Sequence, residues 1–254
     1  MDDGTSTLRT SIRHFLFPVL WRVSLLLPLA LSPALIRADA TGRQLLFQLR
    51  GPIPAPDDVV LIGIDEASLD PQLSDLGSWP WPRTQQAALA REVLQQGARR
   101  VVFNIVHVGP SSFGPDDDQG FHDALKPWKD RVLLSASLVR QQWEGFEQVQ
   151  LRRPWDESFQ VGLSAFFIDA FGIVQAVPGM VRLQEMLAPF PQPHPPPMAF
   201  LAADVTTSSV DNGIDFLGPS GQIPVIPAWA LGTQSEDFWQ DKIVIIGSTA
   251  PSLG

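Results

Sequence analysis

The chain has 254 residues, 44% hydrophobic and 18% charged, which is enough for one sizeable core or two small ones. It contains no cysteine, which excludes a disulfide framework, a thiol nucleophile and a zinc–thiolate site. The formal net charge is −9, whereas phosphate binding needs clustered Lys and Arg, so we expect no nucleic-acid partner. We also expect no cofactor and no metal ion.

The N-terminal region contains a long apolar segment, Phe15 to Ile36, interrupted only by Arg22 and two serines. A transmembrane helix needs about 20 such residues, so we predict a cytoplasmic start and membrane anchor within residues 1–40 and a linker over 41–57. A signal peptide cleaved near Ala38–Ala40 is an alternative, and a buried core helix is a third that its prolines disfavour. Both leading interpretations export the rest of the chain. With the anchor, the protein is expected in the inner membrane, with residues after about 40 in the periplasm.

Residues 58–254 are predicted to form one α/β domain, a mostly parallel mixed sheet covered by helices. DVVLIGID (58–65) is a continuous apolar run, typical of a strand covered on both faces. Residues 82–96 have a helical pattern, with proline at the first turn and glycine at the end. RVVFNIVHV (100–108) is a second buried strand, and this order predicts a parallel pair with a right-handed crossover.

The later elements are shorter. Residues 116–128 predict a helix in which Asp116, Asp117 and Asp118 act as N-cap and first-turn acids; the alternative is that these acids hold a divalent cation together with Asp65. The remaining predicted elements are a strand over 131–139, two strands within 163–177 around the turn Asp169–Gly172, a proline-rich loop over 187–197, a short helix over 198–205, two strands within 213–226 and a strand over 241–250.

The segment LGSWPWPR (76–83) lies between the first strand and the first long helix. Ligand sites in open α/β sheets form beyond the carboxyl ends of the strands, and tryptophan indoles make good pocket walls. The candidate ligand-binding residues are therefore Asp65, Trp79, Trp81, Arg83 and Asn104.

A structural role for the same segment is the alternative. In that interpretation the tryptophans plug the end of the sheet, and Arg83 forms a salt bridge to Asp65 or Glu66. We expect one of the two tryptophans to be buried and the other to lie partly exposed at the rim of the candidate site.

Two catalytic interpretations have less support. IGSTA (246–250) lacks the lysine of a phosphate-binding loop and the glycine spacing of a dinucleotide site. Ser68, Ser248 and His107 are the residue types of a hydrolase triad, but the chain has no G-x-S-x-G elbow. A membrane-anchored or secreted α/β hydrolytic enzyme is the alternative function.

Several motifs, in this order, resemble the CHASE2 family of bacterial extracytoplasmic sensor domains from about residue 57 to the end. They are VVLIGIDEASL, LGSWPWPR, GARRVVFNIV, DDDQGFHDAL, DAFGIVQAVPG, IDFLGPSGQIP and DKIVIIGSTAPSLG. Where the family commonly has charged residues, this chain has Asn104, Phe171 and Gln175.

The resemblance implies a particular receptor layout. In the family, an N-terminal membrane helix precedes this domain, and further membrane helices lead to a cytoplasmic output such as a cyclase or kinase. The chain would then be a non-catalytic sensory part that responds to an unknown small-molecule or protein signal. A homodimer is an arrangement that we keep open.

Overall fold

A computed structural model of the chain divides between Ile53 and Pro54 into two units. It describes residue 42 and residues 45–143, 146–168, 174–219 and 221–253. In the first unit, residues 45–50 are helical. Among the described residues no helix combines the length and the apolar character needed to cross a membrane. The predicted anchor, Phe15 to Ile36, lies outside these residues.

The second unit is a mixed α/β structure. Its strands are β1 (Val59–Ile64), β2 (Arg100–Phe103), β3 (Val132–Trp143), β4 (Phe146–Arg152), β5 (Gln160–Leu163), β6 (Phe167–Ile168), β7 (Val174–Val177), β8 (Asn212–Gly213), β9 (Val225–Pro227) and β10 (Ile243–Ser248). Its α-helices are α1 (Glu66–Leu69), α2 (Arg83–Gln95), α3 (Pro115–Leu125), α4 (Met180–Leu187) and α5 (Met198–Ala203). Short 3-10 turns cover Lys126–Arg131, Ala228–Thr233, Glu236–Trp239 and Pro251–Leu253.

The central sheet has seven strands in the order β4-β3-β2-β10-β1-β9, with β5 paired to β3. All its strand pairs are parallel except β3 with β4. The predicted strands at 58–65, 100–108 and 241–250 therefore lie in one sheet, as expected from their apolar runs. β2 ends at Phe103, earlier than predicted, because the chain then leaves the sheet and His107 packs towards α2.

Both faces of the sheet are covered, which explains why its strands read as continuous apolar runs. On one face the even-numbered residues of β1 and β10 pack with α2 and α3 in the main core. On the other face Val102, Leu133 and Ile243 form a smaller cluster with Met198 of α5. Both crossover helices, α2 and α3, lie on the main-core face.

A small antiparallel sheet follows, in the order β6-β7-β8. β6 and β7 are the two strands predicted within 163–177, and the predicted turn between them lies outside the described residues. Leu183 and Leu187 of α4 are buried against Ala136 and Leu163. α4 and β4 were not predicted, whereas the short helix α5 was.

Candidate functional site

The aromatic segment before α2 packs onto the main core. Trp81 is 2% exposed, and its indole Nε1 donates a hydrogen bond to the Gly77 carbonyl at 2.7 Å. Trp79 is partly exposed, with its ring centroid 5.7 Å from that of Trp81. One tryptophan is thus buried and the other lies at the rim, as expected. The N–H of Trp81 is already used within the protein.

Arg83, the first residue of α2, is 6% exposed. Its guanidinium bonds to the carboxylate of Asp118 and donates to the Gly109 carbonyl at 2.7 Å. It also lies over the Trp155 ring, 5.1 Å from the centroid. Burial lowers the pKa of Arg83, and the adjacent Asp118 opposes that shift. The predicted salt bridge to Asp65 or Glu66 is wrong, because α2 begins beside the loop after β2.

Asp117 caps the start of α2 from a different helix. Its carboxylate accepts hydrogen bonds from the backbone N–H of Arg83 at 2.8 Å and of Thr84 at 2.9 Å. The hydroxyls of Thr84 and Ser111 donate to it at 2.8 and 2.6 Å. The residue before α2 is Pro82, which has no side-chain donor or acceptor, so Asp117 supplies the missing cap.

These contacts also set the charge state of Asp117. Burial raises its pKa, but the hydrogen bonds from Ser111, Thr84 and Arg83 outweigh burial, and the net shift is downward. The carboxylate therefore stays ionised at neutral pH and stabilises the positive end of the helix dipole. We call Arg83, Thr84, Ser111, Asp117 and Asp118 the helix-start cluster.

The prediction for the acids of α3 is confirmed in part: all three lie in its first turn, but none of them is its N-cap. The N-cap position of α3 is occupied by Gly114, followed by Pro115, so the aspartates lie in the first turn rather than at the cap. Asp117 and Asp118 bind the start of α2, whereas Asp116 is exposed. No group of three metal-ligating side chains occurs among the described residues, so their geometry gives no support to the alternative of a cation held with Asp65.

His107 joins the loop after β2 to the same helix. Its Nε2 lies 2.9 Å from Oε1 of Gln86, whose amide nitrogen donates to the Trp81 carbonyl at 3.1 Å. The Gln86 oxygen must therefore accept, which makes His107 the donor. Burial, together with the positive charge of Arg83, lowers the pKa of His107 to about 4. The imidazole is neutral at pH 7 and serves as a packed, hydrogen-bonded core residue.

The hydrolase triad suggested by residue types does not form. His107 contacts Gln86, Ser68 donates to Asp65 at 2.6 Å, and Ser248 donates to the Ala250 carbonyl at 3.4 Å. In these contacts neither serine is paired with the histidine, so the geometry gives no support to a serine hydrolase.

Asp65 and Asn104 follow the carboxyl ends of β1 and β2. Asp65 caps α1, accepting from the backbone N–H of Ser68 at 2.8 Å. Asn104 is exposed, and its side-chain oxygen accepts a long hydrogen bond of 3.4 Å from Ser164. Because β10 separates β1 from β2, the two strand ends are about 10 Å apart.

The five candidate residues therefore fall into separate groups. Trp79 and Trp81 touch each other, and Arg83 belongs to the helix-start cluster, while Asp65 and Asn104 lie at different strand ends. Sequence reasoning missed Gln86, Ser111 and Trp155 as partners of this region. One feature of the sequence could have indicated this contact. A helix that starts after proline, as α2 does, needs a hydrogen-bond acceptor from elsewhere in the chain, and Asp116, Asp117 and Asp118 are acidic candidates for it.

The comparison with known families confirms the family resemblance predicted from the motifs. The family profile of the CHASE2 domain matches residues 22–254, so it begins within the predicted anchor. The chain belongs to the CHASE2 family. CHASE2 domains are extracytoplasmic sensory domains rather than catalytic ones. No curated protein and no solved structure matches the chain.

Proposed function

We propose that this CHASE2 chain is the sensory part of a bacterial transmembrane receptor. Phe15 to Ile36 hold it in the inner membrane, residues after about 40 lie in the periplasm, and the domain relays a small-molecule or protein signal to an output domain in the cytoplasm. The observation that carries this proposal is the family match, which extends over residues 22–254.

The arrangement of the first and last strands supports a relay. β1 and β10 are adjacent and parallel, paired from Val59–Ile243 to Ile64–Ser248. The chain enters this pair at its amino end through β1 and leaves at its carboxyl end through β10. A displacement of one strand is therefore transmitted to the other by a continuous hydrogen-bond ladder.

A second contact joins the segment after β10 to α1. The Glu66 carboxylate accepts from the backbone N–H of Ser252 at 2.9 Å and from its hydroxyl at 3.1 Å. Because Glu66 directly follows Asp65, a contact at the carboxyl end of β1 also moves the segment after β10. This link supports signal transmission through the strand ends.

The exposed candidate residues are the ones available to a signal. Trp79 and Asn104 have accessible side chains, whereas Trp81 and Arg83 are buried and fully engaged. Within the proposed receptor, Trp79 and Asn104 are two separate contact points for the signal, and Asp65 transmits it through α1. Trp81 and Arg83 hold the surrounding loops in place.

Fractionation of cells that express the full chain tests the anchor. The chain is expected in the membrane pellet, resistant to alkaline extraction, with the mass of the uncleaved polypeptide. Leu26→Arg places a charge at the middle of the span, which costs about 3 kcal/mol on insertion scales. It should release the chain into the extract, whereas Leu26→Ala should not.

Other outcomes would contradict the anchor. Recovery of the unsubstituted chain in the cytoplasmic fraction would refute export. A mature protein that begins after Ala40 in the periplasmic fraction would replace the anchor with a signal peptide.

A further inference from the structure

Two terminal strands of the central sheet, β9 and β4, differ in their capacity to pair with another strand. β9 has three residues, contains Pro227 and follows Pro224, and proline cannot donate a ladder hydrogen bond. β4 has seven residues without proline or glycine, and β3 is its one partner strand in the described part of the chain. An edge strand of this kind is a template for pairing with another chain.

The register shows which groups of β4 face outward. In an antiparallel ladder, alternate residues direct both N–H and C=O away from the partner strand. Trp143 pairs with Phe146 across a two-residue connection and forms the closing hydrogen-bonded pair. Counted from that pair, Glu147, Val149 and Leu151 present their backbone groups at the free edge.

We propose that β4 pairs antiparallel with β4 of a second copy of the chain, on a two-fold axis through Val149. With the axis at Val149, all three outward-facing residues of each copy enter hydrogen-bonded pairs. Val149 pairs with Val149 of the second copy, Glu147 pairs with its Leu151, and Leu151 pairs with its Glu147. The new ladder has about six hydrogen bonds, and it joins two central sheets into one. A shift of the centre by one residue leaves an outward-facing residue without a counterpart.

The side chains and charges of β4 fit a second copy. The sequence around the axis is Gln148-Val149-Gln150, so each glutamine meets the other glutamine of the partner copy. The chain carries a net charge of −9, so two copies carry the same overall charge and repel each other. β4 has one acid and one base, so the copies meet at a segment without net charge.

Packing adds to the fit. Leu151 packs at the edge of the cluster formed by Ala136, Leu163, Leu183 and Leu187, and Val149 lies on the same face of β4, 42% exposed. In the pair, the partner's Val149 covers this side chain and extends the apolar surface. The inference does not depend on which signal the domain receives.

The absence of cysteine makes the proposal directly testable by crosslinking of the full chain in membranes. Residues opposed in a hydrogen-bonded pair have Cα atoms about 5.5 Å apart, within disulfide range. Oxidation of Val149→Cys should give covalent dimer. Val225→Cys is the matched control, because Val225 is 45% exposed on the other edge. We expect about tenfold more dimer from Val149→Cys than from the control, because paired edges raise the effective concentration.

A proline substitution tests whether the dimer depends on backbone pairing of β4 rather than on random collision of exposed cysteines. Val149→Pro removes an outward-facing N–H while leaving the hydrogen bonds to β3, so the melting temperature should change little and the dimer should be lost by light scattering. Equal crosslinking of the two cysteine variants would overturn the proposal. A monomeric parent chain, or a Val149→Pro variant that folds and still dimerises, would overturn it as well.

Discussion

Asp117→Asn tests how much the helix-start cluster contributes to the stability of the fold. The asparagine keeps the size of the side chain but replaces one carboxylate oxygen with an amide nitrogen. Each oxygen of Asp117 now accepts one backbone N–H and one hydroxyl. A hydroxyl can rotate and accept from the new amide, whereas a backbone N–H cannot. One buried N–H at the start of α2 therefore loses its acceptor.

The structure sets the expected size of the loss. Hydrogen bonds to a charged group contribute about 1.5–3 kcal/mol, and an unsatisfied buried donor costs a similar amount. We expect Asp117→Asn to lower the free energy of unfolding by about 2–3 kcal/mol, which corresponds to about 5–10 °C in melting temperature for a domain of this size. Asp116→Asn is the control, because Asp116 is exposed in the same turn and contributes only about 0.5 kcal/mol through the helix dipole.

The assay is thermal and urea unfolding of the full chain, followed by tryptophan fluorescence. The pKa of Asp117 is lower in the folded state than its ordinary value of 3.8, so its stabilisation is complete above that value. It is lost as the pH falls through the lower folded value. The difference between the parent and Asp117→Asn should therefore shrink below about pH 4. Equal, small effects of Asp116→Asn and Asp117→Asn at pH 7 would refute the capping role.

Three further outcomes are expected. The pKa of His107 falls from 6.5 to about 4 on folding, so the unfolded chain takes up the proton first. Stability should decrease by roughly 3 kcal/mol between pH 6.5 and pH 4, and urea titrations of His107→Asn should lack this slope. Trp81→Ala should cost about 3–5 kcal/mol and Trp79→Ala clearly less, and equal losses in melting experiments would contradict their different burial. Glu66→Ala, which removes the acceptor, should speed amide exchange at Ser252 and Leu253 with little change in stability, and unchanged exchange there would remove the proposed link.

The strands of the central sheet were predictable because burial on both faces leaves an unbroken apolar run. This pattern identified β1, β2 and β10, and the helical spacing identified α2. β4 was missed because it lacks a continuous apolar run. Its residues are largely polar, and it is held in place by its hairpin with β3. α4 was missed because it spans two turns and buries only two leucines on one face.

The contacts of the candidate site were harder to predict from sequence. Arg83 was assigned to Asp65 or Glu66 at the end of β1, but its partner Asp118 is 35 residues away and is brought close by the crossover after β2. The hydrogen bond from His107 to Gln86 has the same origin. Such pairings depend on how two crossover helices pack on one face, which the composition and spacing of either segment do not determine.

The location of the globular unit is the central claim, and one labelling measurement tests it directly. Val225→Cys introduces a single exposed thiol into a chain that has none. In cells whose outer membrane has been permeabilised, a membrane-impermeant maleimide should label this thiol as completely as it does after lysis, while the parent chain gives no signal. Labelling that appears only after the inner membrane is broken would place the domain in the cytoplasm and contradict the proposed receptor.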